Sequence, residues 1–201
     1  HFGNLQAALA LSKVSAAAGG AGWAFVVDAL STASVSMAGG TSRSDGTAAA
    51  DAVRYTAAVS DSAITMTDTI LSANSVGLHI TPGPTTNSPA VFTRVTSTGG
   101  AYGLSLHGLT DSAVLVSDST LAGYNVGYYF TFALRSPFTA VDSRISSSNP
   151  TRPAVEVNGY VDTTPFTFTR SSVSAKGADS KALYFKSTVV GCPLSISGST
   201  F

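Results

Sequence analysis

The stretch VLVSDSTLAGYNVGYYF, Val114–Phe130, carries one turn of a repeating backbone path. Val114 and Val116 alternate with Leu115 and Ser117, so two apolar side chains leave the same face of a strand. Asp118-Ser119 follows, a pair that turns the chain because short polar side chains bond nearby backbone amides. Leu121, seven residues past Val114, marks a further short strand. Gly127 then stands directly before Tyr128 and Phe130, a second period-2 pair.

The same order recurs on both sides of this stretch. First-strand pairs are Leu9/Leu11, Val35/Met37, Ile64/Met66, Ala90/Phe92, Val114/Val116, Phe138/Ala140, Phe166/Phe168 and Leu194/Ile196, spaced by 24 to 29 residues. Second-strand pairs follow 14 to 18 residues later: Phe25/Val27, Val53/Tyr55, Leu78/Ile80, Leu104/Leu106, Tyr128/Phe130, Val155/Val157 and Leu183/Phe185. Before each second pair stands a small residue, Ala24, Ala52, Gly77, Gly103, Gly127, Ala154 and Ala182. Such a column is expected where a coil turns a corner and backbones approach closely. Leu71, Leu121, Ile145, Val173 and Phe201 mark the third strand, each seven residues beyond a first-strand opening. Pro89, Pro137, Pro165 and Pro193 precede first-strand openings, the strand position at which proline is tolerated. The corner four residues after each opening reads Lys13, Gly39, Asp68, Arg94, Asp118, Asp142, Arg170 and Gly198.

Self-similarity at this period means a solenoid, because one coil cannot bury its apolar face and its neighbours must do so. The sequence therefore predicts an all-β, right-handed parallel β-helix of about seven coils, with three short strands per coil, as one segment over residues 1–201. The hexapeptide period of left-handed helices and the Leu/Asn ladder of leucine-rich repeats are both missing. An antiparallel β-sandwich is the rival fold, and it does not account for the small-residue column. Neither end carries a polar capping segment, so the chain is expected to be a piece of a longer repeat protein, with flanking coils of that protein as its neighbours.

Eleven Lys plus Arg balance eleven Asp plus Glu, so no net field attracts nucleic acid or an anionic membrane. No apolar run reaches the ~18 residues of a spanning helix, so no membrane insertion by this segment is expected. The one cysteine, Cys192, permits no internal disulfide; it reads as a small buried residue or as a bridge to another part of the protein.

Outward second-strand positions read Val26, Arg54, His79, Ser105, Tyr129, Glu156 and Tyr184, stacked on one face. Arg54, His79, Tyr129, Glu156 and Tyr184 form a candidate ligand-binding strip, with rings to stack on sugar faces and charges to bond hydroxyls. An ordinary exposed sheet face of β-forming residues is the plainer reading. Parallel β-helices also include polysaccharide lyases and glycoside hydrolases of the pectin lyase-like kind. For that reading the candidates are Asp118 and Asp142 on successive coils, with Arg144 as the cation and calcium as the metal. Against it, Arg94 and Arg170 flank the two aspartates in an Arg, Asp, Asp, Arg stack that neutralises itself. Outside that alternative no catalytic residue, metal or cofactor is expected. His79 and His107 stand a coil apart at different offsets and make no metal motif.

Units such as Ser34-Val35-Ser36-Met37, Asp118-Ser119-Thr120-Leu121 and Leu194-Ser195-Ile196-Ser197-Gly198-Ser199 resemble the dispersed gene family of large surface proteins in kinetoplastid parasites. The likeness lies in the texture of the whole chain rather than in a diagnostic motif. It implies a β-helical ectodomain segment at the cell surface or secreted, with membrane anchoring elsewhere in the parent protein. The implied role is adhesive or shielding, with glycans or host surface proteins as partners, and it carries no catalytic residues over. The absence of N-glycosylation acceptors and the single cysteine depart from a glycosylated ectodomain. An autotransporter-like bacterial passenger shares the architecture.

Overall fold

The computed structural model describes residues 1–19, 23–45, 50–80 and 83–201. Its strands stack in parallel as a β-solenoid of about seven coils with three main strands per coil, and it has no helix among the described residues. Connections between parallel neighbours of one sheet are right-handed in about 98% of cases, the hand expected from the coil length.

The first sheet runs through Leu9–Ser12, Ser34–Ala38, Ala63–Thr67, Ala90–Thr93, Val114–Ser117, Phe138–Val141, Phe166–Thr169 and Leu194–Ser197. Each expected pair faces its counterpart, from Leu9 opposite Val35 to Phe166 opposite Leu194. The second sheet carries the second-strand pairs in the same unbroken register, from Phe25 opposite Val53 to Val155 opposite Leu183. The third sheet joins Ser15–Ala18, Thr41–Ser44, Ile70–Ala73, Thr96–Gly99, Thr120–Gly123, Arg144–Ser147 and Ser172–Ala175. Phe201 comes into line with Val173 through a bridge between Ser172 and Thr200.

Inward side chains of all three sheets meet in one core. Its upper half is aromatic: Tyr128 stacks on Phe138 at 4.7 Å and Phe130 on Phe166 at 6.0 Å between ring centroids. Its lower half buries the aliphatic and thioether side chains of Val35, Met37, Ile64 and Met66 together with Tyr55 and Phe25, whose ring pairs with that of Phe2. On the last coil Leu194, Ile196 and Phe201 have a neighbouring coil on one side and are half-exposed.

The small-residue column has a steric origin in this packing. A Cβ on Gly103 would come within 2.7 Å of the Ala122 amide nitrogen, and one on Gly127 within 2.8 Å of the Ile145 side chain and the Ser146 backbone. The second strand thus passes against the third sheet at a separation that excludes larger side chains there. In two coils the inward third-strand position is a serine, Ser42 or Ser97, where other coils have an aliphatic residue. Each hydroxyl donates to a carbonyl of the small-residue column, Ser42 to Ala52 at 2.7 Å and Ser97 to Gly103 at 2.6 Å. A buried hydroxyl with such an acceptor avoids the cost of going unpaired.

Two corners of each coil place a residue in the left-handed region. At the first, Lys13, Asp68, Arg94, Asp118, Asp142 and Arg170 have φ between 47° and 54°. A second corner, seven residues earlier in each coil, does the same at Thr32, Asp61, Asn87, Asp111, Arg135 and Thr163. Between the second strand and this second corner lies a two-residue strand that the sequence reading omitted, such as Leu109–Thr110 or Ala133–Leu134; it extends the second sheet. After each corner a hydroxyl ladder restores the hydrogen bonding. The amides of Ser62, Ser88, Ser112 and Ser136 donate to the side-chain oxygen one coil on, at 3.0 to 3.2 Å. Cys192 ends this ladder, its sulfur accepting from Thr164 N–H at 3.4 Å and donating to the Val190 carbonyl. Its thiol is therefore a rung of the corner, in the place that a threonine and then serines take below it.

Candidate functional site

The second sheet turns the expected strip outward in register: Arg54 beside His79, His79 beside Ser105, Tyr129 beside Glu156, and Glu156 beside Tyr184. The column is not uniformly open. Ser105 and Glu156 are covered by their neighbours, while Arg54, His79, Tyr129 and Tyr184 keep part of their surface in solvent.

At its lower end the strip is organised by an acid that the sequence reading did not single out. Asp51 enters from the arc before Val53, and its side chain is 1% exposed. One carboxylate oxygen accepts the Val76 N–H at 3.1 Å; the other accepts Arg54 Nη1 at 3.1 Å and His79 Nδ1 at 2.9 Å. A carboxylate only accepts, so His79 carries its proton on Nδ1 toward Asp51. The Arg54 guanidinium also lies over Trp23, 4.5 Å from the ring centroid, a cation–π contact. Arg54 and His79 are thus held from behind by a buried charge. His107, one coil above, has its imidazole pushed below the ordinary histidine range by partial burial, with the neighbouring His79 adding to the effect.

Farther up, Tyr102 and Tyr129 pack ring to ring at 5.0 Å, and Asn158 Nδ2 donates to the Tyr129 hydroxyl at 3.0 Å. Burial first, then the adjacent Tyr129 and Glu156, raises the Tyr102 phenol above its usual pKa. Arg152 stands 3.8 Å from the Glu156 carboxylate, and the Lys181 ammonium lies over the Tyr184 ring at 4.7 Å. A cleft of about 130 Å³ opens beside these residues, lined also by Asp179 and Lys186.

The corner aspartates are arranged differently from the expected stack. Arg170 pairs with Asp142 through two bonds of 2.7 and 2.6 Å, as the stacking implied. Arg94 instead reaches down to Asp68, at 2.6 and 2.9 Å, rather than up to Asp118. At the second corner Arg135 likewise takes Asp111 of the preceding coil. In all three pairs the arginine reaches the left-handed aspartate one coil earlier. These bonds hold Asp68, Asp111 and Asp142 below the usual carboxylate range. The Asp118 amide donates to the Val141 carbonyl, but among the described residues its carboxylate has no hydrogen-bond or ion-pair partner and lies in the field of Arg94 and Arg170. Arg144 projects from the third sheet and lines a different cavity from the cleft of the strip. Among the described residues no group of three or more His, Cys, Asp or Glu side chains is placed to hold a metal ion.

Asp51 and the second corner escaped the sequence reading for different reasons. Asp51 lies in the arc of variable length, where no period marks it. The second corner does have a signal, since Asp61-Ser62 and Asp68-Thr69, or Asp111-Ser112 and Asp118-Ser119, repeat one dipeptide pattern seven residues apart. No protein-family model matches the chain, and searches of curated proteins and of solved structures find no similar chain.

Proposed function

We propose that this chain is a segment of a non-catalytic surface scaffold or adhesin, and that the outer face of its second sheet is the contact face for glycans or host matrix. The observation that carries this reading is the in-register column of Arg54, His79, Tyr129 and Tyr184, reinforced by the buried Asp51 and by the Tyr102–Tyr129 ring pair. A parallel sheet presents successive outward side chains at ~4.8 Å intervals, so rings and hydrogen-bonding groups meet an extended ligand at a fixed repeat. Held side chains lose little freedom on binding, which favours recognition by preorganisation. Cell-surface or secreted placement, and the kinship with kinetoplastid surface proteins, belong to the same proposal and rest on the texture of the repeats.

A glycan array with the purified chain tests it, using Tyr129→Ala and Tyr184→Ala as strip variants. Binding that both variants abolish supports the contact face; uniform silence removes the glycan-binding role. Release of unsaturated products from a uronate polymer with calcium, lost in Asp142→Ala, replaces this reading with a lyase one.

A further inference from the structure

We propose that a second, separate groove on the outer face of the third sheet binds an anionic glycan, with Arg144 and Lys176 holding its sulfate or carboxylate groups. The groove has a volume of about 460 Å³ and crosses the successive rungs Thr96–Gly99, Thr120–Gly123, Arg144–Ser147 and Ser172–Ala175. Its lining contains two cations, Arg144 and Lys176, and no acid.

Arg144 is the exception among the arginines. Arg43, Arg54, Arg94, Arg135, Arg152 and Arg170 each stand within ion-pair distance of an aspartate or glutamate, and among the described residues Arg144 does not. The reason lies in the register: its neighbours on the coils below and above are Thr120 and Ser172. A guanidinium is a planar fork suited to two-point binding of sulfate or carboxylate, and this one is left with its donors toward solvent at the groove. In a chain whose other arginines each stand beside an acid, an acid-free groove with two cations selects anions.

The floor and rim specify what kind of anion. Thr98, Ser146 and Ser174 lie in one outward column with Ala122, so hydroxyls recur along the direction of the coil stack. Tyr124 stands at the rim, 53% exposed, a ring against which a sugar face can lie. An acidic peptide would seek a free strand edge or apolar pockets for its side chains. Here the rungs Thr96–Gly99, Thr120–Gly123 and Arg144–Ser147 are paired on both sides, the end rung Ser172–Ala175 is bridged to Thr200, and apart from Arg144 the outward side chains are small, so no apolar pocket opens on the floor.

The inference is independent of the second-sheet contact face, and the test separates them. A heparin-derived hexasaccharide is titrated calorimetrically into the intact chain at low salt, beside cellohexaose and polyglutamate. The sulfated hexasaccharide is expected to bind, more weakly as salt rises. Arg144→Ala should weaken it about tenfold or more, the loss of a charge-assisted two-point contact. Lys176→Ala should weaken it less, and Arg144→Ala should weaken it as much in a Tyr129→Ala background as in the wild type, which separates this groove from the second-sheet face. Circular dichroism of each variant checks that the coil stack persists, as expected for exposed side chains. Equal affinity in Arg144→Ala and wild type overturns the site. Equal binding of cellohexaose, or of polyglutamate, overturns the anionic-glycan assignment, as does no binding of the hexasaccharide.

Discussion

Replacing Asp51 by alanine should be the most damaging change of a single charged side chain in this molecule. The carboxylate is 1% exposed and accepts from the Val76 amide, Arg54 and His79. Its removal strands the Val76 N–H within the sheet, a loss of about 1–3 kcal/mol for an unpaired buried donor. Arg54 and His79 lose a charge-assisted partner, but at 24% and 20% side-chain exposure they can turn partly to water, so their share is discounted. The sum is about 2–4 kcal/mol, below the ~3–5 kcal/mol typical of breaking a fully buried pair. Asp51→Asn keeps an acceptor for the amide and should fall between wild type and alanine. Urea denaturation followed by circular dichroism, with the midpoint read at unchanged slope, measures all three. Asp142→Ala, which removes an exposed corner pair, is the reference and should barely move the midpoint. If Asp51→Ala and Asp142→Ala shift the midpoint equally, the reasoning about the lower strip is refuted.

Three further outcomes follow from the same geometry. Tyr128 is buried with its hydroxyl unpartnered, and burial raises its phenol pKa; Tyr128→Phe should stabilise the chain by about 1 kcal/mol in the same denaturation assay, since it removes an unpaired buried hydroxyl and keeps the ring stack. Cys192→Ser should leave the denaturation midpoint unchanged or raise it, because the ladder is built for an oxygen, whereas Cys192→Val should lower it by leaving the Thr164 amide unpaired. The imidazole of His107 should titrate by NMR below the ordinary 6.5 and move upward in His79→Gln. With its folded pKa depressed, the folded chain binds fewer protons than the unfolded chain just below 6.5. Stability should therefore be retained above that pH and decline as pH falls toward the folded value, and His107→Asn should flatten the decline.

The three main sheets were legible because their inward positions are period-2 apolar pairs that recur with small-residue and proline punctuation. Pairs such as Val114/Val116 and Tyr128/Phe130 have no other economical explanation, and their register in the structure is the one the spacing implies. What was hidden is the polar interior. Ser42 and Ser97 occupy core-facing positions, but a hydroxyl satisfied by a backbone carbonyl looks in sequence like a loop residue. The two-residue strands are too short to show a period. The direction of the corner pairs depends on how a long arginine side chain lies across its neighbour, and Arg94 had an aspartate available on either side. Asp51 is carried by the arc whose length varies from coil to coil, so the repeat that revealed everything else could not locate the residue that anchors Arg54 and His79.

Both functional proposals depend on equivalent residues standing in straight columns, and spin-label distances measure that directly. In a Cys192→Ser background, labels are placed at Thr65 with Thr139 and at Thr65 with Thr167, outward positions of the first sheet three and four coils apart. Pulsed electron paramagnetic resonance should give backbone separations of ~14 and ~19 Å, a rise of one coil between the two pairs despite the 28 residues added. Equal distances, or a decrease from the first pair to the second, would mean that the chain folds back on itself as antiparallel sheets, and the columns would not exist.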